Sequence, residues 1–178
     1  MTNNKNTVSL LNNIASYLLS SKESAKGNKQ FLNWSQVSNV LIIAYDNQLS
    51  NVVDFINACK KDNIKVHVAV IFDGKPEQTP KPNFEHSILD KKQFNFFGLP
   101  NEQAIQSLSL KPIDALINLG DADQIKTLAL SKLVSAKCKI SHFHNPIFDI
   151  SIDGDKTNNT SKFLEQVIVY LHMIKTTK

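Results

Sequence analysis

Apolar and polar positions along the chain fall into blocks of two kinds, continuous or alternating runs of strand length and stretches of helical spacing. Val40 to Tyr45 is an unbroken apolar run, as expected of a strand covered on both faces, and it stops at Asp46-Asn47. Leu49, Val52, Val53 and Ile56 then mark one helix face that closes at Lys60-Lys61-Asp62-Asn63, with cations where the helix dipole favours them. Val66 to Phe72 forms the next strand, broken by Asp73-Gly74. Strand, helix and strand within about 33 residues predict a βαβ unit with a right-handed crossover.

The sharpest boundary comes later, where Ile113 to Leu119 reads as a strand, halts at Gly120-Asp121 and passes into a helix marked by Ile125, Leu128, Ala129 and Leu133. Such a turn presents side chains and free backbone N–H groups at one edge of an open parallel sheet, where these folds bind ligands. Lys139 to Phe143 predicts another strand, and Phe148 to Ile152 alternates in the manner of an edge strand. Apolar residues nearly encircle a last helix from Ser161 to Ile174, which is either deeply packed or shared with a partner subunit.

Three regions carry weaker patterns. Leu10, Leu11, Ile14, Ala15, Leu18 and Leu19 predict an N-terminal amphipathic helix, followed by a polar link from Ser20 to Lys29. Residues 74–100 hold four of the six prolines and read as a long excursion with one short strand, His86 to Leu89; Phe94, Phe96 and Phe97 either dock it on the core or line a pocket. Asn101 to Leu108 reads as a short helix. The expected fold is a single α/β, Rossmann-like three-layer domain over residues 39–178. Its mainly parallel sheet of five or six strands is flanked by helices, and residues 1–38 form the N-terminal helix and link.

Composition narrows the function classes. At 178 residues, 42% hydrophobic and 20% charged, the chain can bury a core without disulfides or metal. All 20 basic residues are lysine, so the planar guanidinium that reads guanine or clamps phosphate is missing and a nucleic-acid partner is unlikely on composition. Cys59 and Cys138 lie far apart within apolar patterns and read as buried free thiols of a reducing, cytoplasmic compartment. Val8 to Leu19 is too short and too interrupted for a secretory signal, and no run approaches membrane-spanning length.

With only five glycines, none close to another, the chain lacks the dinucleotide and NTPase phosphate loops; it also lacks a nucleophile elbow, a zinc helix and a Cys-His cluster. What remains lies just past the predicted strand ends: Asp46, Asp73, Asp121, Asp123, His142 and His144. In an open parallel sheet these ends lie together, and converging carboxylates would hold a hard cation such as Mg²⁺ able to receive a phosphate. His142 and His144, two apart on a regular strand, would face one side and could serve as bases or ligands. Each residue also has a structural reading. Asp46 and Asp121, the latter with Gln124 three residues on, fit helix caps; Asp73-Gly74 and Asp153-Gly154-Asp155 fit turns. His67 and His172 read as packing residues.

The segment Asn39 to Phe72, the phrase Phe94-Asn95-Phe96-Phe97-Gly98-Leu99-Pro100, the strand Asp114 to Leu119 and the ending Phe148 to Ile152 with Glu165 to Ile174 resemble a family of uncharacterised bacterial proteins of about this length. That resemblance implies a fold and a bacterial source, and no reaction. Val40 to Lys60 and Asp114 to Ile140 are also similar to the N-terminal half of the heptosyltransferases of lipopolysaccharide synthesis. The Gly-Asp expected there after the first strand is Asp46-Asn47 here, and the sugar-nucleotide domain has no counterpart.

The expectation from sequence is therefore a non-catalytic cytoplasmic α/β module, without an identified cofactor, acting through a protein partner or small ligand at the strand C-terminal edge. Self-association or partner binding would use Phe163, Val167, Tyr170, Leu171 and Ile174 on the last helix. The alternative is a phosphate- or nucleotide-sugar-handling enzyme that uses Asp46, Asp121 and Asp123 with Mg²⁺.

Overall fold

The computed structural model describes residues 14, 16–25, 30–75, 78, 81–152 and 159–175. Leu10, Leu11, Ala15, Pro76, Pro80 and the Asp153-Gly154-Asp155 turn lie outside them. Six strands form one sheet in the order β3-β2-β1-β4-β5-β6: β1 (Asn39–Tyr45), β2 (Lys65–Ile71), β3 (His86–Leu89), β4 (Ala115–Asn118), β5 (Cys138–Ser141) and β6 (Ile150–Ser151). Every neighbouring pair is parallel. The chain forms an open α/β fold, as the patterning predicts. The excursion after Gly74 contributes β3, an edge strand on β2.

The apolar runs follow from burial on both faces. In β1, Val40, Ile42 and Ala44 face a layer made by α1 (Val53–Lys61) and α4 (Thr160–Met173); Leu41 and Ile43 face α2 (Glu102–Leu108) and α3 (Ile125–Leu133). Ile42, Ile43, Leu116, Ile117 and Ile140 are fully enclosed. Each such side chain contributes about 1.5–3 kcal/mol, against about 0–1 kcal/mol for an exposed ion pair, so sheet burial outweighs surface charge. A third apolar cluster joins Leu19, in the N-terminal helical residues 16–21, to Leu99, Leu128, Ala129 and Phe148. It covers the outer side of α3, which is why that helix buries Thr127 and Ser131 as well as its leucines.

Several expectations shift in detail. The first predicted helix opens as a 3-10 segment, Asp46–Val52, before α1 begins. β5 ends at Ser141, so His142 and His144 lie in the following loop and a strand register does not align them. The edge strand shrinks to two residues, and Asp149 just before it accepts the Lys139 N–H at 2.9 Å. Phe94 is buried against the α2–α3 side, Phe97 packs into the third cluster, and Phe96 stays 81% exposed. Trp34 stacks on His172 at 5.4 Å and donates its indole N–H to Asp62 at 2.7 Å, fixing residues 34–36 against α1 and α4. Cys59 and Cys138 are free, buried thiols, and burial pushes both up to about 12.

At the N-terminal end of the sheet, Asp114 carries a structural role that the strand pattern concealed. Its carboxylate is 4% exposed, accepts the N–H groups of Ser38 and Asn39 at 2.8 and 2.9 Å, and pairs with Lys137 at 2.8 Å. Burial alone would raise its pKa, but the Lys137 and backbone hydrogen bonds outweigh burial and hold it below the ordinary value. The unfolded carboxyl titrates near an ordinary value of about 3.9. The stabilisation is therefore present above that pH and is lost as pH falls through the lower native value. Asp114→Asn should cost about 1–3 kcal/mol at neutral pH, and the deficit should shrink in acid. Urea melts of both proteins at neutral and acidic pH read this directly.

Candidate functional site at the strand C-terminal edge

Strand order reverses between β1 and β4, since β1 leads outward to β2 and β4 outward to β5. The crevice beyond their C-terminal ends is where open α/β sheets place ligands. Here the two turns that flank it are closed by glutamines. Gln48 accepts the Tyr45 N–H at 2.9 Å and donates to the Leu119 carbonyl at 2.8 Å, bridging one turn to the other. Gln124 accepts the Asp121 N–H at 2.9 Å. The free amides expected at this edge are thus used internally at both positions. Asp46 and Asp121 do not cap the helices that follow them: Gln48 turns back to Tyr45 and Gln124 to Asp121, each across three residues, and neither α1 nor α3 has a side-chain cap.

The second turn is compact because Gly120 leaves room for α3. A Cβ there would lie 2.3 Å from Thr127 Oγ1 and 2.7 Å from Gln124 Oε1. Asn118, fully buried, accepts the Gly120 N–H at 3.1 Å and donates to its carbonyl at 3.2 Å.

Around this closed crevice the predicted residues come together in part. Asp121 Oδ1 lies 3.3 Å from His142 Nε2, and the His142 ring packs edge-on against Phe163. Asp73 pairs with Lys126, whose ammonium also sits 5.2 Å from the centre of the Phe94 ring. Tyr45 ends β1. Burial, then the charges of Asp73, Asp123 and Asp121, push its phenol up to about 12. Asp46 and His144 stand exposed outside these contacts.

Among the described residues, no group of three His, Cys, Asp or Glu could hold a metal ion, so the carboxylate cluster expected for Mg²⁺ is not assembled. Sequence reasoning missed Tyr45, which reads as one more apolar strand residue, and Lys126, which lies 53 positions from its partner Asp73. The glutamine spacing is legible in the sequence at Gln124, whose partner is the turn residue Asp121, and is hidden at Gln48, whose partner Tyr45 belongs to a strand.

The last-helix candidates divide. Phe163, Val167 and Leu171 are buried in the sheet core, and Ile174 is half-buried against it. Tyr170 is 45% exposed, beside the exposed Val169 and Met173. Of its two readings, the encircling apolar pattern is mainly deep packing, and three of the five residues expected at a partner interface are occupied by the fold. Asn33 tightens that packing by donating to the Ile174 carbonyl at 2.7 Å.

The edge therefore offers one protonated phenol among carboxylates, one cation already paired, and a carboxylate–imidazole pair. Tyr45 supplies a pH test with a defined sign. Its unfolded counterpart ionises near an ordinary value of about 10. Stability should therefore fall as pH rises from there towards about 12, where the native phenol ionises. A Tyr45→Phe difference titration by ultraviolet absorbance should remove a component ionising near pH 12, and that variant should lose less stability over the same range.

No curated protein and no solved structure matches the chain, and the likeness to heptosyltransferases is not shown. A family profile does match, over residues 8–174. By that match, which spans nearly its whole length, the chain belongs to a family of unknown function (DUF6913).

Proposed function

We propose that the C-terminal edge is a non-catalytic recognition surface for a donor-rich cation, an ammonium or guanidinium group carried by a protein partner or a small ligand. The observation that carries this reading is that Asp73 already holds an ammonium group at this edge, that of Lys126, with Asp121 paired to His142, while burial and then the charges of Asp73, Asp123 and Asp121 raise the Tyr45 phenol. A phosphate would meet these same negative charges. It would also find the Tyr45 and Asp121 amides already bonded to glutamines. The rival phosphate- or nucleotide-sugar enzyme is disfavoured on both grounds. The unpaired buried cysteines support a reducing, cytoplasmic setting.

A thermal-shift panel compares spermidine and a lysine-rich peptide with orthophosphate, nucleotides and nucleotide sugars, each with and without Mg²⁺. Only the cations should stabilise the protein, by several degrees at concentrations far above Kd, and the effect should weaken with salt. Asp73→Asn, which also releases Lys126 from its partner, should weaken cation binding at least several-fold. A metal-dependent phosphate or nucleotide response with no cation response would overturn the proposal.

A further inference from the structure

A different group of residues stands at the other end of the sheet. His67, expected to be a packing residue, is instead a partly open side chain (30% exposed) near the start of β2, with polar partners on both ring nitrogens. Its Nε2 lies 2.9 Å from Ser87 Oγ and its Nδ1 3.4 Å from Glu85 Oε1. The pleat explains the meeting. Ser87 pairs in register with Ala69, and residues 67 and 69 on β2 share a face with Ser87 on β3 and with Glu85 just before it. The side chains of all three therefore stand on the sheet face that α2 and α3 cover. Lys111 donates to the same Glu85 oxygen at 3.1 Å. That hydrogen bond, with a smaller contribution from His67 and against partial burial, holds the Glu85 carboxyl below its ordinary value.

A carboxylate on Nδ1 favours the tautomer with its proton on that nitrogen. Nε2 is then left as an acceptor aimed at the Ser87 hydroxyl. Hydroxyl, imidazole and orienting carboxylate in this order are the arrangement that activates an oxygen nucleophile. A cavity of about 180 Å³ opens against His67 and Glu85, which share its wall with the apolar Leu41, Leu108 and Ile113; Ser87 stands behind His67, outside that wall. Its small volume would suit a short acyl chain. Lys65 and Lys111 also line it, Lys111 as the partner of Glu85.

We infer that Ser87, His67 and Glu85 form a second, catalytic site that transfers short acyl groups from esters. In the first step Ser87 Oγ bonds to the acyl carbon, the ester C–O bond breaks, and His67 carries the serine proton to the leaving alcohol. In the second, water attacks the acyl-serine, His67 takes a proton from that water and returns it to Ser87 Oγ, and the carboxylic acid leaves. Ser87 and His67 are the catalytic residues; Glu85 is a positioning residue that acts through His67. The site is separate from the cation-binding edge and does not depend on it.

The test uses the full chain with p-nitrophenyl acetate, butyrate and octanoate, and acid quenching to trap the acyl-enzyme for peptide mass mapping. Acetate and butyrate should turn over faster than octanoate, with the acyl group found on Ser87. Ser87→Ala and His67→Gln should each lower kcat/KM about 100-fold. Glu85→Gln should lower kcat about 10-fold with KM little changed. Thermal melts establish that each variant is folded, and Ser87→Cys, which keeps a nucleophile, should still acylate. Undiminished turnover in folded Ser87→Ala, acyl groups on lysines alone, or no turnover of any ester above the buffer rate would each overturn the inference.

Discussion

Every strand of an all-parallel sheet must begin and end with backbone polar groups that leave the ladder while their neighbours are still buried, and each needs a partner. In this protein side chains provide many of them, some from the same turn and some from distant parts of the chain. Asp114 binds the amides that lead into β1, Gln48 and Gln124 bind those that follow β1 and precede α3, and Asn118 closes the turn after β4. The glutamine device recurs before the sheet and after β3. Gln36 accepts the Asn33 N–H and Gln93 accepts the Asp90 N–H, at 3.0 and 2.9 Å. With the ends satisfied, Leu41, Ile42, Ile43, Leu116 and Ile117 can be sealed on both faces, and that burial carries the fold.

The same solution shapes the chemistry at each end. Where the turn amides are taken up internally, the C-terminal edge loses the donors that make such edges receptive to phosphate. Carboxylates remain there: Asp73 pairs with Lys126 and Asp121 with His142, although the chain as a whole is +4. The opposite end has a different origin. There β3 is an edge strand paired on one side only, so Glu85 and Ser87 reach His67 across the β2–β3 pair while remaining partly open.

The architecture was legible because β1, β2, β4 and α4 are specified by runs long enough to override local ambiguity. Even His86–Leu89, four residues within a proline-rich excursion, is a strand as the pattern predicts. Contacts that depend on distant parts of the chain were not legible. Asp114 reads as one polar residue interrupting a strand, and only the fold brings Ser38, Asn39 and Lys137 around it. The aspartates past the strand ends were correctly located at one edge, and Asp121 does meet His142. Their roles as caps or Mg²⁺ ligands did not follow, because glutamines three residues on supply the hydrogen bonds at Tyr45 and Asp121. The last helix was ambiguous for a physical reason: encircling apolar residues look alike whether they face a core or a partner, and here Phe163, Val167 and Leu171 face the core.

Native-state hydrogen exchange by NMR at the Tyr45 and Asp121 amides tests the central claim that glutamine side chains close the two βα turns. Both amides should be strongly protected in the native protein. Gln48→Ala should abolish protection at Tyr45 while leaving Asp121 and the strand interiors protected. Fast exchange at both amides in the unmodified protein would contradict the account, because those N–H groups would then be free for a ligand.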